Sequence, residues 1–459
     1  MFQWRRLIFI VRSSFWLLPG GIALTAVVAA IVFADNDFGF DVNTGFTGVK
    51  PSAGMPVASA RAILSTIVGT MITVTTLVFS MTLVALTLVA QQLGPRIVLR
   101  FMDDRPTQVF LGLFLATFLF SLIILVRIGY AEAQSQVPNL AVLLSAALVI
   151  VSTGAVIAFI HNVANRIQAD ELVAELGDEF GAAARHLLHK GEQKTAFASP
   201  EELEALDAMF AARYVVPVTS DTSGYLNVLD QTTALKAAVD HDAVVRIAVH
   251  PGEFVLAGTP VLEVAIARSD EAFVKKLEDD MKPAISVAAK RTAEATLEFE
   301  VNALTEVALR ALSPGINDPY TARTCIHRLG TGLRELLDHP GRPAVKRESG
   351  GTIRVVHHRQ PFGYYCSLAL RPVMNAGRDQ AEVLAEVADM LGALGAMTRL
   401  EERLDDIIAN LDALEETLEL SNLTETDRAW VKKHVEWARR KACAQAGLGV
   451  DDGPAEARG

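Results

Sequence analysis

Cysteine is scarce. The 459 residues hold three, Cys325, Cys366 and Cys443, and none stands in a CxxC pair. That excludes a disulfide framework, offers no zinc spacing, and leaves reduced thiols as the reading. A nucleophile with its base, paired carboxylates and a phosphate-binding loop are equally missing at any recognisable spacing. The sequence therefore predicts no enzyme, no cofactor and no metal site. No basic face is visible in the sequence either. The net charge is -11, whereas a nucleic-acid partner would require a concentration of Lys and Arg to displace counterions, so none is predicted.

Charged residues are absent altogether from four long runs, 13–34, 62–95, 106–126 and 133–165. Each reaches the ~20 apolar residues with which a helix crosses the ~30 Å hydrocarbon layer while satisfying its own backbone polar groups. Four membrane spans are expected, near 14–34, 63–90, 107–127 and 139–161. Arg5, Arg6 and Arg12 ahead of the first run also fit a signal peptide, but the run is long and three more follow it. The basic residues orient the bundle. Arg5, Arg6, Arg12, Arg96, Arg100 and Arg105 fall on one side, against Lys50, Arg61 and Arg127 on the other, which puts both termini in the cytosol.

Span two carries hydroxyls. At about 100° per residue, Thr66, Thr70, Thr73, Thr76, Ser80, Thr87 and Gln91 fall within one third of its circumference, interrupted by Leu77 and Val84. Two readings are open: close packing with a neighbouring helix, or the lining of a narrow wet path in a homo-oligomer. Span four continues without proline past the membrane, and His161, Asn165 and Gln168 share a polar face at its exit. A proton relay would need ionisable groups deeper in the bilayer, so proton-coupled transport is not expected.

Beyond residue 165 the composition is that of a soluble protein. A helical extension and linker covers 166–213, with Ser199, Pro200 and Glu202 forming a capping box. Over 214–268 the period changes to two, and Pro251-Gly252 and Gly258-Thr259-Pro260 separate short apolar strands. This spacing is similar to the barrel-sandwich module of biotinyl and lipoyl domains, although Lys236 lies in a helical-looking segment and no carrier activity is carried over. A mainly helical domain is expected over 269–447, with a second β excursion near Ile353–Leu370 and a disordered tail over 448–459. Adjacent His357 and His358 would point to opposite faces of a strand, so they would not share a metal. Leu400, Leu404, Ile407, Leu411, Leu414 and Leu418 make almost three heptads, short for an independent coiled coil, which leaves that reading beside a helix packed inside the domain or between subunits. The fold class expected is thus a membrane α-helical bundle with an α+β cytosolic region.

The most motif-like run is "LSPGINDPYTA". It reads as a joint between helices: Ser313, Pro314 and Gly315 end one, Asn317 precedes the cap, Asp318 caps the next and Pro319 opens it. An anion or metal cradle at Asn317 and Asp318 is the alternative. With "FSMTLVALTLVAQQLGPRIVLRFMDDRPTQVFLGLFLATF", "FIHNVANRIQ" and "PGEFVLAGTPV", the stretch "ALRALSPGINDPYTA" makes the chain resemble the predicted bacterial membrane proteins grouped as domain of unknown function 2254. The helix before it, "RTAEATLEFEV", keeps that family's pattern only loosely. The resemblance implies a bacterial inner-membrane protein and no particular activity. A homo-oligomeric, channel-like protein is the expected function. A membrane-anchored scaffold or sensor for an unknown cytosolic partner is the alternative. The lipid bilayer and further copies of the chain are the expected partners.

Overall fold

The computed structural model describes residues 15–35, 55–92, 104–129, 139–166, 169–194, 196–267, 270–289, 297–337, 343–398 and 400–445. The basic residues 5, 6, 12, 50, 96 and 100, Gln168, and the tail over 448–459 lie outside them. Contacts divide the chain into two compact units, Met1–Leu172 and Val173–Gly459.

The first unit is a helical bundle of α1 (Leu17–Asp35), α2 (Val57–Gln92), α3 (Arg105–Gly129) and α4 (Asn139–Arg166). The strongly apolar α3 is its hub and packs against the other three. Phe120, Ile124 and Ile128 of α3 meet Ala30, Ala60, Leu64, Ala141 and Val142 in one buried cluster. A Cβ on Gly112 of α3 would overlap Ile22 of α1, so this glycine sets a close helix crossing of the kind small residues permit in membranes. Among the described residues three helices are long and apolar enough to cross a membrane: Val57–Leu88, Arg105–Gly129 and Asn139–Ala164, of 32, 25 and 26 residues. Leu17–Phe33, where the first of four spans was expected, is apolar but shorter.

The second unit begins within α5 (Ala169–Lys194) and builds a six-stranded sheet in the order β1-β8-β9-β4-β6-β2. The strands are β1 (Ala196–Phe197), β2 (Tyr214–Thr219), β4 (Val244–Ile247), β6 (Pro260–Ile266), β8 (Ala344–Arg347) and β9 (Ile353–His357). A smaller sheet orders β5 (Phe254–Val255), β3 (Gly224–Leu229) and β7 (Ile285–Ala288). Helices cover both faces of the large sheet, and β4 and β6 are accordingly mostly apolar; Arg246 and Glu263, paired at 3.8 Å, are the exceptions on one face. Val245, Ile247, Val264 and Ile266 pack on α7 (Gln231–Asp240) and α8 (Glu271–Met281). Val244, Ala265 and Val356 pack with Leu206 and Phe210 of α6 (Pro200–Ala212).

The self-contained β module expected over 214–268 is therefore not what forms. No closed barrel occurs among the described residues, and β4 pairs in parallel with β9, about a hundred residues later, through Val245 opposite Val355. Parallel pairing needs a long crossover, which a local window of sequence cannot show. The expected β excursion at 353–370 is strand only to His357; from Phe362 it is helix. Gly252 and Gly258 do make the predicted turns, with φ of 94° and 87° that favour glycine.

Helices complete the unit: α9 (Leu297–Ala311), α10 (Pro319–Leu337), α11 (Phe362–Ala376), α12 (Ala381–Gly395), α13 (Glu401–Glu419) and α14 (Glu425–Gln445). Helix α10 packs on α9 and α12, and α12 on α14. The heptad leucines lie on α13 and face inward. Leu404, Ile407, Leu411, Leu414 and Leu418 are buried while Leu400 is exposed, so within the chain this seam is domain core. Phe180 of α5 is fully buried against Gly332 of α10, where any Cβ would overlap its ring.

Candidate functional site

Helix α2 has two faces with opposite roles. Leu64, Ile67, Met71, Val78 and Ala85 are buried in the bundle, while Thr66, Thr70, Thr73, Thr76, Ser80, Thr87 and Gln91 are all exposed on the far side of the same helix. The hydroxyls of the stripe are thus turned away from the helices this chain packs against α2. Most of its hydroxyls are satisfied locally: Thr66 donates to the Ala62 carbonyl at 2.9 Å, Thr73 to Gly69 at 3.0 Å, Thr76 to Ile72 at 2.8 Å and Thr87 to Leu83 at 2.8 Å. Such bonds let a polar face stand in an apolar surrounding, and the oxygen keeps a lone pair for a second partner. Thr70 and Ser80 make no hydrogen bond among the described residues.

The polar contacts that join the helices lie elsewhere: Arg61 of α2 donates to the Ile128 carbonyl of α3 at 3.3 Å, and a group of contacts links α3 to α4. The Asn162 amide donates to the Asp104 carboxylate and to the Thr107 hydroxyl, both at 3.3 Å, and Thr107 N donates to Asp104 at 3.1 Å, capping α3. Deeper in, Thr117 and Ser152 share a hydrogen bond at 3.0 Å. Ser121, one turn further along α3, is fully buried with a hydroxyl unpartnered among the described residues. Thr107, Thr117 and Ser121 follow the buried face of α3, a periodicity that was readable and was overlooked beside the longer stripe of span two. Near the end of α4, His161 is exposed; the side chain of Asn165 and all of Gln168 fall outside the described residues.

The loop before α10 has a definite geometry. The Ser313 carbonyl accepts from Ile316 N at 3.0 Å and Asn317 N at 2.8 Å, and Asp318 N donates to the Ala311 carbonyl at 2.7 Å. The Asp318 carboxylate accepts from Thr321 N at 3.1 Å and from the Thr321 hydroxyl, and Pro319 is the first residue of α10. The left-handed position is Asn317, with φ 50°, not Gly315. A Cβ on Gly315 would meet nothing within 4 Å. Asparagine tolerates this backbone better than other side-chain-bearing residues, and Gln380 Nε2 donates to Asn317 Oδ1 at 2.9 Å. Pro314, Ile316 and Tyr320 stand exposed around it. No group of His, Cys, Asp and Glu able to hold a metal occurs among the described residues.

Of the two adjacent histidines, His357 is partly buried and His358 exposed. The His357 ring, at the end of β9, lies tilted with its centroid 5.4 Å from that of His250, and Gln231 Nε2 lies 3.3 Å from its Nδ1. With that amide donating, Nε2 carries the proton, and this buried atom has no partner among the described residues. Burial, joined by the charges of His250, Arg359 and His358, lowers its pKa from 6.5 to about 4. His250 Nε2 donates to the His358 carbonyl at 2.6 Å, tying β9 to the turn that precedes β5.

Comparison with known proteins adds the family. The model of the predicted membrane proteins of domain of unknown function 2254 matches residues 12–393. The chain belongs to this family. Among relatives in it, an uncharacterised protein of Mycobacterium tuberculosis and one of Mycobacterium bovis are each 26% identical over 338 residues, which is 73% of this chain and 63% of theirs. The chain thus spans less than two thirds of the length of those relatives. No solved structure matches it. Family membership and three apolar helices of spanning length among the described residues make this a predicted membrane protein of unknown activity.

Proposed function

We propose that the protein is a homo-oligomeric, channel-like protein of the bacterial inner membrane, without enzymatic activity. In this reading four spans cross the bilayer, both termini are cytosolic, and the second unit regulates the path. The supporting observation is the placement of the stripe. A hydroxyl face packed inside the protomer would be helix glue; one turned away from the bundle has lipid or another copy as its surrounding, and polar side chains favour the copy. Repeated around an axis, Thr66 to Gln91 would line a wet path. The regulatory part rests on covalent order: α4 leads, two residues on, into α5, whose Phe180 seats on Gly332 of α10. The exposed Ile316 and Tyr320 at the start of α10 favour the second reading, a scaffold or sensor that binds a cytosolic partner there.

Ion flux in reconstituted vesicles separates the two. The wild type is expected to conduct. Thr73→Leu with Ser80→Leu is expected to cut flux at least about tenfold by dewetting the path, with bundle assembly intact because both side chains are exposed on the protomer. Ion-tight vesicles at good incorporation would favour the scaffold.

A further inference from the structure

Helix α14 carries a cationic, aromatic face that the domain leaves uncovered. Val431, Val435, Ala438 and Ala442 bury one side of it. Opposite them Trp430, Lys433, Trp437, Arg440 and Lys441 are exposed, within an arc of about 100° that contains no carboxylate. Trp430 and Trp437 are 42% and 40% exposed, unusual for the largest apolar side chains, and the Lys441 ammonium lies 4.5 Å over the Trp437 ring.

The charge is as anomalous as the tryptophans. Residues 428–441 hold six Lys and Arg against the single Glu436, in a chain of net charge -11. Arg428 and Arg439 are used internally: Arg428 donates to the Ser421 carbonyl at 2.9 Å, and Arg439 pairs with Asp412 at 2.7 Å and Glu415 at 3.2 Å. Lys432, Lys433, Arg440 and Lys441 have no ion-pair partner among the described residues, although α13 next to them carries eight carboxylates to one arginine. Folding therefore leaves these cations facing outward.

We infer that this face of α14 docks on anionic lipid headgroups at the bilayer surface. Lysine and arginine ammonium and guanidinium groups bind lipid phosphates, and tryptophan rings fill the headgroup boundary, where one edge is apolar and the other wet. Two rings separated by seven residues, with cations between and beside them, lie along the helix as a surface-parallel seat requires. The inference is independent of conduction.

The test uses the full chain in lipid nanodiscs of phosphatidylcholine alone or of phosphatidylcholine with phosphatidylglycerol, the phosphatidylcholine being brominated near the headgroup end of its acyl chains. Subtracting the fluorescence of the Trp430→Phe/Trp437→Phe variant isolates these two rings. They are expected to be quenched in the anionic discs, much less in the neutral ones, and to be released by salt. In Lys433→Gln, Arg440→Gln and Lys441→Gln, each neutralised cation should lower the docked-to-undocked ratio about fivefold. An unchanged thermal melt shows that these exposed substitutions leave the fold intact. Equal quenching in both discs, or none in the anionic ones, overturns the inference. So does shielding of the rings that depends on two chains sharing a disc and not on lipid charge, which would assign the face to the acidic α13 of a second copy.

Discussion

Acidification from pH 7 to pH 4 is expected to cost the second unit about 3 kcal/mol through His357 alone. The unfolded chain takes up a proton on this imidazole near the ordinary value of 6.5, whereas the folded one resists until about pH 4. A group whose pKa is lowered by folding stabilises fully above the unfolded value and loses that contribution as pH falls to the folded value; at ~1.36 kcal/mol per pH unit the gap gives ~3 kcal/mol. The physical cause is the desolvation of an imidazole set beside the His250 ring, with the charges of His250, Arg359 and His358 adding to it. Urea unfolding followed across this range should show the loss in the wild type and a flatter profile in His357→Leu. Parallel profiles for the two proteins would place the acid sensitivity elsewhere.

Gly332→Ala is expected to lower stability by ~1–2 kcal/mol although alanine is the better helix former. The new methyl would overlap the ring of Phe180, which is fully buried and unable to swing aside. Overpacking of this sort costs ~1–3 kcal/mol against a helix-propensity gain of ~1 kcal/mol. Gly315→Ala, within the conspicuous motif, is expected to be neutral or to stabilise by ~0.4–1 kcal/mol, because its φ is not positive and open space surrounds it. Thermal melting of the two variants decides the ranking, and a more damaging Gly315→Ala would contradict the assignment of the strained position to Asn317.

The sequence was most legible where one residue pattern answers to one physical demand. Charge-free runs mark α2, α3 and α4, because hydrocarbon tolerates nothing else; the Ser199 capping box forms as written, with Ser199 N donating to Glu202 at 2.9 Å. The loop before α10 was readable in outline, since Asp318 and Pro319 suit a helix start and little else. Its strained residue was not, because glycine is the usual choice for a positive φ and here Asn317 takes the role. The sheet was the least legible part. Strands β8 and β9 are short and lie about a hundred residues from β4, so no local period announces their pairing. The stripe on α2 was visible as a pattern, but whether it turned inward or outward depends on which other helix faces are apolar. Leu64, Met71 and Val78 settle that for this protomer only once α3 is packed against them.

The central claim is that the exposed hydroxyls of α2 meet their counterparts from other copies around a shared path. Its most direct test is disulfide crosslinking in native membranes, with Cys443 replaced by Ser and the buried Cys325 and Cys366 left in place. Single cysteines at Thr73 and Ser80, on the stripe, should join two copies of the chain under mild oxidation, while a cysteine at the equally exposed Ile72, about 100° around the helix, should not. Crosslinks at Ile72 with none at Thr73 and Ser80, or a monomer at all three positions, would contradict it.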